Sequence, residues 1–234
     1  MNKNNNSLNI CLIPARGGSK RIPRKNIKDF NGKPFIAWSI EAALSSDLFS
    51  DVYVSSDDDE IIKIAEDFGA KIPFVRPSNL ADDFTKDIEV INHFLNYMEE
   101  KMIKAEYLCY LYPTAPFIDK NILQGCLNMI KKEGVKEVFT MTTFPYPPQK
   151  SLKLDPKKGL IFNWEEYKGT RSQDLEPLFH DAGQCYFFNL NKELGNNIRL
   201  GFKIPRYKCQ DIDTFEDFEN LQKLFKIYKT RNSI

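Results

Sequence analysis

Short apolar runs alternate with helical patterns through the first two-thirds of the chain, and this order constrains the fold more than any other feature. The strand-like runs cover about 9–13, 51–55, 71–75, 107–112 and 135–142. Between them, apolar residues recur at helical spacing over about 34–46, 60–68, 87–102 and 119–132. Repeated strand–helix–strand units place successive strands parallel, because each helix crosses back over the sheet. The sequence therefore predicts an α/β domain with a mostly parallel sheet flanked by helices.

The pattern changes between about 145 and 180. Proline and glycine interrupt short β-like pieces there, at 151–154 and 160–164, and no clean helical period remains. We expect a protruding β arm, a kind of element that subunits often exchange. Strands are expected again at 184–189 and 202–205, before a last helix at about 215–228. At 234 residues, the chain is interpreted as a single domain, 1–234, that carries this arm.

A basic loop that contains glycine follows the first strand directly. Residues 14–26 read PARGGSKRIPRKN, with five cations from Arg16 to Lys25. Gly17 and Gly18 allow backbone N–H groups to turn toward an oxyanion, and Arg and Lys add charge-assisted bonds to phosphate. At the carboxyl end of a parallel strand, this combination predicts a nucleotide triphosphate site. The alternative interpretation is a solvated basic surface.

Other phosphate-binding motifs and several classes of partner are excluded. The loop lacks the Gly-Lys-Ser/Thr ending of a Walker A motif, and no G-x-G-x-x-G occurs. The net charge of +1 gives no general attraction to nucleic acid or to an anionic membrane. No apolar run approaches the roughly 20 residues that span a bilayer. We expect neither a nucleic-acid partner nor a membrane partner.

The amino terminus and the cysteines bear on the cellular compartment. Residues 1–7 are polar and lack the apolar core of a signal peptide. The five cysteines are scattered, and those at 11, 109 and 185 lie in strand-like runs, which predicts buried free thiols. These features fit the reducing cytoplasm.

A second candidate motif, Asp211-Ile212-Asp213-Thr214, precedes the last helix. In an extended segment, residues two apart face the same side, so Asp211 and Asp213 would project together. Paired carboxylates near bound phosphates are typical of a Mg²⁺ site. The alternative is helix capping by Asp213 or Thr214 with Asp217, and the two roles are compatible. The acidic run at 57–60 is expected to cap a helix as well.

Three motifs in this order resemble those of the CMP-nonulosonic acid synthetases, the acylneuraminate cytidylyltransferase family. They are the loop IPARGGSKRIPRKN at 13–26, the turn YPTAP at 112–116 and DIDT at 211–214. The similarity extends from Ile10 to Phe218. It implies a Rossmann-like nucleotidyltransferase fold, CTP as substrate and Mg²⁺ as cofactor. It also implies a homodimer in which the arm of one subunit reaches the site of the other.

The resemblance assigns roles to individual residues. The nucleotide would be bound by Ala15, Arg16, Gly17, Gly18, Ser19, Lys25, Asn26 and Arg76. Within that set, Ser19 and Lys25 would contact phosphates, Asn26 would lie on the ribose side, and Arg76 would help hold the cytosine. The metal would be held by Asp211 and Asp213, which with Arg16 and Lys25 form the implied catalytic group. The acidic sugar would be bound by Tyr112, Lys150, Arg171, His180, Gln184 and Tyr186.

The segment 170–186 departs from the sialic acid enzymes of this family. Those enzymes usually carry an arginine and an asparagine where His180 and Ala182 stand, and a glutamine at the position of Tyr112. The TRSQDLEP and HDAGQ stretches resemble instead the pseudaminic acid cytidylyltransferases. This implies in-line attack of the sugar's anomeric hydroxyl on the α-phosphate of CTP, giving CMP-pseudaminic acid and pyrophosphate.

Alternatives to this assignment remain at the sequence level. The acceptor could be another nonulosonic acid, such as legionaminic or sialic acid. A different class would be a non-catalytic protein that binds nucleotide sugars with the same fold. His180 could equally be a structural hydrogen-bonding residue, which is the common role of an isolated histidine.

Overall fold

The computed structural model describes residues 8–191, 197–210 and 212–232. The strands of the main sheet and of the arm are β1 (Asn9–Pro14), β2 (Asp51–Ser55), β3 (Tyr107–Leu111), β4 (Val135–Thr143), β5 (Leu152–Asp155), β6 (Gly159–Phe162), β7 (Phe179–Asn189) and β8 (Ile198–Lys203). The helices are α1 (Phe35–Ser45), α2 (Asp59–Asp67), α3 (Asp87–Glu100), α4 (Lys120–Ile130) and α5 (Phe215–Asn232). The predicted order of strands and helices is confirmed except at 71–75, where no strand forms.

Six strands form the main sheet in the order β2-β1-β3-β7-β4-β8. Strand β7 runs antiparallel to β3 and β4, whereas the other pairings are parallel. The carboxyl ends of the five parallel strands therefore meet at one edge of the sheet, beside the amino end of β7. Ligands of open α/β sheets bind at this edge.

Helices cover both faces of the sheet, as the predicted α/β architecture requires. Alternate residues of β1 enter different cores: Cys11 and Ile13 pack toward α1, α2 and α4, while Ile10 and Leu12 pack toward α3. A strand that is buried on both faces needs apolar side chains at successive positions, which explains the continuous apolar run of β1.

Helix α5 closes a third core at the carboxyl edge. Its Phe218 and Phe225 pack against Phe30 and Phe35, whose stacked rings lie 4.2 Å apart. Ile22 of the basic loop is fully buried in the same cluster. The basic loop is therefore anchored to the segment that precedes α5, although the two are almost 200 residues apart in the sequence.

One predicted strand is absent, and another has different boundaries. Residues 71–75 form isolated bridges at Lys71 and Val75 rather than a strand, because Pro73 between them cannot donate a ladder hydrogen bond. The strand predicted at 202–205 is β8, which begins earlier and ends before Pro205.

The predicted arm is a separate two-stranded hairpin of β5 and β6. Leu152 pairs with Phe162 and Leu154 with Leu160, so four apolar side chains share one face. Leu154 is 79% exposed and Leu160 is 66% exposed. The hairpin thus presents an uncovered apolar face in the single chain.

The cysteines are free thiols, as predicted, and four of the five are buried. Within the described ranges, no helix is both long and apolar enough to cross a membrane.

Candidate active site

A cleft of about 290 Å³ opens at the carboxyl edge, where β1 and β3 end. Its walls come from the basic loop, from the segment before α3 and from the turn after β3. The predicted site residues that line it are Arg16, Ser19, Lys25, Asn26, Arg76 and Tyr112. Asp82, Asp83, Thr85, Asp87 and Tyr110 also line the cleft, and the sequence analysis did not identify them.

The basic loop is shaped by backbone contacts as well as by its charges. Ala15 is buried and donates its N–H to the Ser55 carbonyl, which continues the β1–β2 pairing past the end of the strands. Asn26 is also buried, and its Nδ2 donates to the Arg16 carbonyl at 3.0 Å. This bond closes the loop on itself, so that Arg16 and Lys25 lie at the same cleft.

The acidic run before α2 holds the glycine turn. The Gly17 N–H donates to Asp57 Oδ1 at 3.0 Å, so a carboxylate occupies the anion-binding position that the sequence assigned to phosphate. A Cβ atom at Gly17 would lie 2.6 Å from Asp58 Oδ2, which explains the need for glycine there. Gly18 has open space around its Cα.

Asp58 is the N-cap of α2, which confirms the capping predicted for this run. Its Oδ1 accepts hydrogen bonds from the N–H groups of Glu60 at 3.1 Å and Ile61 at 3.0 Å. The same carboxylate accepts two bonds from the Arg24 guanidinium. The bond from Arg24, with those from the helix N–H groups, lowers the pKa of the Asp58 carboxyl.

An acidic segment before α3 neutralises part of the basic loop. Arg16 Nη2 lies 2.8 Å from Asp83 Oδ1, and Lys20 pairs with the same carboxylate. Arg16 also donates to the Asp82 carbonyl. These ion pairs are partly exposed, so water and salt screen them, and a phosphate group could replace the carboxylate.

Arg76 lies in the wall of the cleft and is 5% exposed. Its Nε donates to Ser55 Oγ at 3.0 Å, and its Nη2 donates to the Ser55 carbonyl. Burial lowers the pKa of its guanidinium, which nevertheless stays charged at neutral pH because arginine starts so high. The side chain is therefore a fixed cation with a defined orientation at the end of β2.

The DIDT segment meets the basic loop at two points. Asp213 pairs with Arg21 at 2.5 Å, and Lys25 Nζ donates to the Ile212 carbonyl at 3.2 Å. Asp211 lies outside the described residues. The DIDT segment therefore adjoins the basic loop at Ile212 and Asp213.

Capping of α5 is performed by Thr214 and Asp217, which leaves the Asp213 carboxylate for another role. Asp217 Oδ2 accepts from the N–H and the hydroxyl of Thr214, both at 2.8 Å, and Thr214 Oγ1 accepts from the Asp217 N–H at 3.1 Å. A half-exposed carboxylate beside the basic loop is a ligand type that Mg²⁺ uses, since this ion takes few protein ligands and completes its shell with substrate phosphate and water. The residues seen in the structure include no cluster of three or more His, Cys, Asp or Glu side chains that could hold a metal ion.

Tyrosine hydroxyls on β3 and β7 are held by carboxylates. Asp87, the first residue of α3, accepts from Tyr110 OH at 2.9 Å and from Tyr112 OH at 2.5 Å. Tyr186 donates to Asp181 at 2.8 Å, and its ring centroid lies 5.6 Å from that of Tyr112. Burial and the neighbouring carboxylates raise the pKa of Tyr112 and Tyr186, so both phenols keep their protons.

The predicted sugar residues other than Tyr112 do not line this cleft in the single chain. Lys150 is on the arm near the end of β4, and Arg171 pairs with Asp174 at 2.7 Å on the exposed side of the arm. His180 lines a second cavity of about 370 Å³, where its Nδ1 lies 2.8 Å from the Asp181 carbonyl. Gln184 is buried and its amide donates to the Lys208 carbonyl.

Comparison of the sequence with protein families gives one match that spans the site. The family described as cytidylyltransferase matches residues 10–231. A pseudaminic acid cytidylyltransferase of Campylobacter jejuni (serotype O:23/36, strain 81-176) is 41% identical over 94% of this chain and 97% of its own length. A Helicobacter pylori protein named as pseudaminic acid cytidylyltransferase and UDP-2,4-diacetamido-2,4,6-trideoxy-beta-L-altropyranose hydrolase is 33% identical over 95% of this chain and 43% of its own length.

Comparison of the folds agrees with this match. A CMP:2-keto-3-deoxy-manno-octonic acid synthetase solved in complex with CTP superimposes with a TM-score of 0.67. The alignment covers 95% of this chain and 100% of that one, at 19% sequence identity. The Rossmann-like fold that the resemblance implied is thereby confirmed.

Proposed function

The chain belongs to the cytidylyltransferase family, and on this basis we propose that it couples CTP to pseudaminic acid, giving CMP-pseudaminic acid and pyrophosphate. The sequence identity of 41% to the Campylobacter jejuni enzyme, over 94% of this chain, carries this proposal. The cleft that joins the basic loop to the turn after β3 supports it, because fixed cations and polar groups line a site at the carboxyl edge.

The reaction is a displacement at phosphorus. The anomeric oxygen of the sugar forms a bond to the α-phosphorus of CTP, the bridging P–O bond breaks, and pyrophosphate leaves with the electron pair. The hydroxyl proton passes to a base that we do not assign. Side-chain nucleophiles are not needed, so catalysis consists of positioning and electrostatic stabilisation.

The basic loop would bind the triphosphate. Arg16 and Lys25 would stabilise the negative charge on the phosphates, with Arg16 exchanging Asp83 for a phosphate oxygen. Ser19 and the backbone at 17–18 would donate further bonds once Asp57 withdraws from Gly17. Asn26, already bonded to Arg16, would lie at the ribose, and Arg76 would face the cytosine.

Asp211 and Asp213 would hold Mg²⁺. The metal ion, when bound, would offset the charge that builds on the leaving pyrophosphate. The position of Asp213 beside Arg21 supports this role, since the loop that carries Arg21 is the proposed phosphate site.

We propose a homodimer in which the hairpin of one subunit completes the site of the other. The uncovered apolar face of β5 and β6 supports an occupant of this kind. In that arrangement Lys150 and Arg171, which lie away from the cleft in the single chain, would approach the partner's sugar acid or phosphates. We also propose that the protein works in the cytoplasm, and its free thiols support this, because thiols stay reduced in that compartment.

An assay of pyrophosphate release from CTP tests this function. Purified protein and Mg²⁺ would be combined with pseudaminic, legionaminic and sialic acid in separate reactions. We expect the highest kcat/KM with pseudaminic acid and no release without a sugar acid. Preference for either of the other acids would overturn the substrate assignment, and failure with all three would overturn the activity.

A further inference from the structure

Two carboxylates hold three tyrosine hydroxyls at the end of β3 and on β7. Asp87 accepts the protons of Tyr110 and Tyr112, and Asp181 accepts the proton of Tyr186. The ring of Tyr112, directly after β3, lies against that of Tyr186 on β7. These five polar side chains come from α3, from the end of β3 and from β7, so the arrangement is a built feature of the sheet edge rather than a local turn.

The pairs fix the direction in which each phenol can hydrogen bond. A tyrosine hydroxyl has one proton to donate and lone pairs with which to accept. Since the proton of Tyr112 is committed to Asp87, only its lone pairs remain, and the neighbouring Tyr186 hydroxyl bonds to the same oxygen. The proton of Tyr186 is directed toward Asp181. The remaining lone pair of Tyr112 is therefore an acceptor for whatever lies against it.

Asp87 is held at this position by the start of α3. It is the first residue of that helix, where the helix dipole favours a negative charge. The buried guanidinium of Arg76 in the same cleft wall attracts it further. A carboxylate has no proton to donate, so Asp87 can only accept from Tyr110 and Tyr112.

The carboxylates of Asp87 and Asp181 exclude the sugar carboxylate from the position beside Tyr112. A nonulosonic acid carries a carboxylate, an anomeric hydroxyl, further hydroxyls and acylamino groups. The sugar carboxylate would meet only acceptors at Tyr112 and Tyr186, with two carboxylates behind them. Like charges at such short range are repelled, and no proton is available to bridge them.

We propose that Asp87 is a positioning residue which holds Tyr112 as an obligate hydrogen-bond acceptor, so that a donor group of the acceptor sugar, an amide N–H or a hydroxyl, binds there. This inference rests on the proposed function. The sugar carboxylate then lies elsewhere, toward cationic groups. Asp181 acts on Tyr186 in the same manner.

A double-mutant cycle in steady-state kinetics tests the proposal. Tyr112→Phe should raise the KM for the sugar acid about tenfold, the order expected for one hydrogen bond, with the KM for CTP unchanged. Asp87→Asn should also raise the sugar KM, because the phenol is freed to turn. The double variant should be no worse than Tyr112→Phe alone, since Asp87 acts through Tyr112.

Tyr97→Phe is the matched control, because this tyrosine also lies on α3 but packs against Phe74 and Tyr53 away from the cleft. It should leave both KM values unchanged. Multiplicative effects in the double variant, or an equal rise in the KM for CTP, would overturn the positioning role. If the wild type is active while Tyr112→Phe binds sugar normally, the inference fails and the proposed function stands.

A second measurement does not depend on turnover. The Kd of the sugar acid, measured by calorimetry with CMP bound, should rise in Tyr112→Phe and in Asp87→Asn and stay unchanged in Tyr97→Phe. A wild-type Kd in Asp87→Asn would show that Asp87 does not position this phenol. A wild type that is inactive with every sugar acid would remove both the function and this inference.

Discussion

At the scale of single residues, Asp213 and Asp217 allow the proposed metal binding to be tested apart from helix capping. Asp213 pairs with Arg21 of the basic loop, whereas Asp217 binds the backbone of Thr214. We predict that Asp213→Asn lowers kcat at saturating CTP by at least about 100-fold. The substitution removes one proposed ligand of Mg²⁺ and half of the negative charge that the DIDT carboxylates would offer to the ion. A titration with Mg²⁺ should show a weaker apparent affinity.

Asp217→Asn is the matched control, four residues away and with the same chemical change. It should lower the melting temperature through loss of the cap, while the kcat and the Mg²⁺ dependence of the folded protein stay at wild-type values. Near wild-type kinetics in Asp213→Asn would remove this residue from the metal site.

Arg16 and Asp83 give a pair of predictions with opposite signs. Arg16→Ala should raise the KM for CTP about 10-fold or more, since it removes a charge-assisted bond to phosphate. Asp83→Asn should lower the KM for CTP, because the carboxylate that competes with phosphate for Arg16 and Lys20 is lost. Measurements at low and high salt should show the Asp83 effect shrinking as salt screens it. A rise in KM for Asp83→Asn would mean that this carboxylate supports binding instead.

The sequence predicted the cationic half of the cleft but not the anionic half. Arg16, Lys25 and Asn26 occur in one short motif whose cations and glycines predict anion binding directly. Asp83 and Asp87 reach the cleft only because α3 packs on one face of the sheet, and they meet partners more than 20 residues away. No local pattern identifies such pairings.

At the scale of elements, the N-cap of α2 links helix stability to the shape of the loop. Asp58→Ala removes two hydrogen bonds to the helix N-terminus and the contact with Arg24, and should cost about 1 kcal/mol of the free energy of unfolding. Urea denaturation measures this difference. Asp59→Ala, which removes an exposed carboxylate of the same turn, should cost much less.

The Asp58 contribution depends on pH in a defined direction. The pKa of this carboxyl is lowered in the folded state, from an ordinary value of 3.8. Its stabilisation is therefore complete above about pH 5 and is lost as the pH falls through the folded-state pKa. The stability difference between wild type and Asp58→Ala should shrink on acidification below pH about 4. A difference that grows instead would contradict the assigned ion pair.

The order of the elements was predictable because each helix and each central strand has its own apolar period. The predicted strand at 71–75 does not form, because Pro73 leaves only two isolated bridges. Strand β7 begins earlier than the predicted 184, because residues 179–181 pair with β4. Cross-strand pairing of this kind depends on the neighbouring strand, which no sequence window contains.

At the scale of the whole molecule, substitutions on the hairpin test whether its apolar face forms the proposed dimer interface. Leu154→Asp combined with Leu160→Asp places charge on its apolar face and should convert a dimer to a monomer. Lys153→Asp, on the opposite face of β5, should leave the dimer intact. Sedimentation velocity measures the mass of each form. A dimer that survives the double substitution would show that the hairpin face is not the interface.

The most direct test of the central claim follows the fate of the α-phosphate. CTP labelled with ³²P at the α position would be incubated with pseudaminic acid, Mg²⁺ and the wild-type protein, and the products would be separated and identified by mass. We predict that all transferred label appears in CMP-pseudaminic acid, and that label at the γ position appears only in pyrophosphate. Label that reaches the sugar from the γ position, or that stays in CTP, would contradict the account.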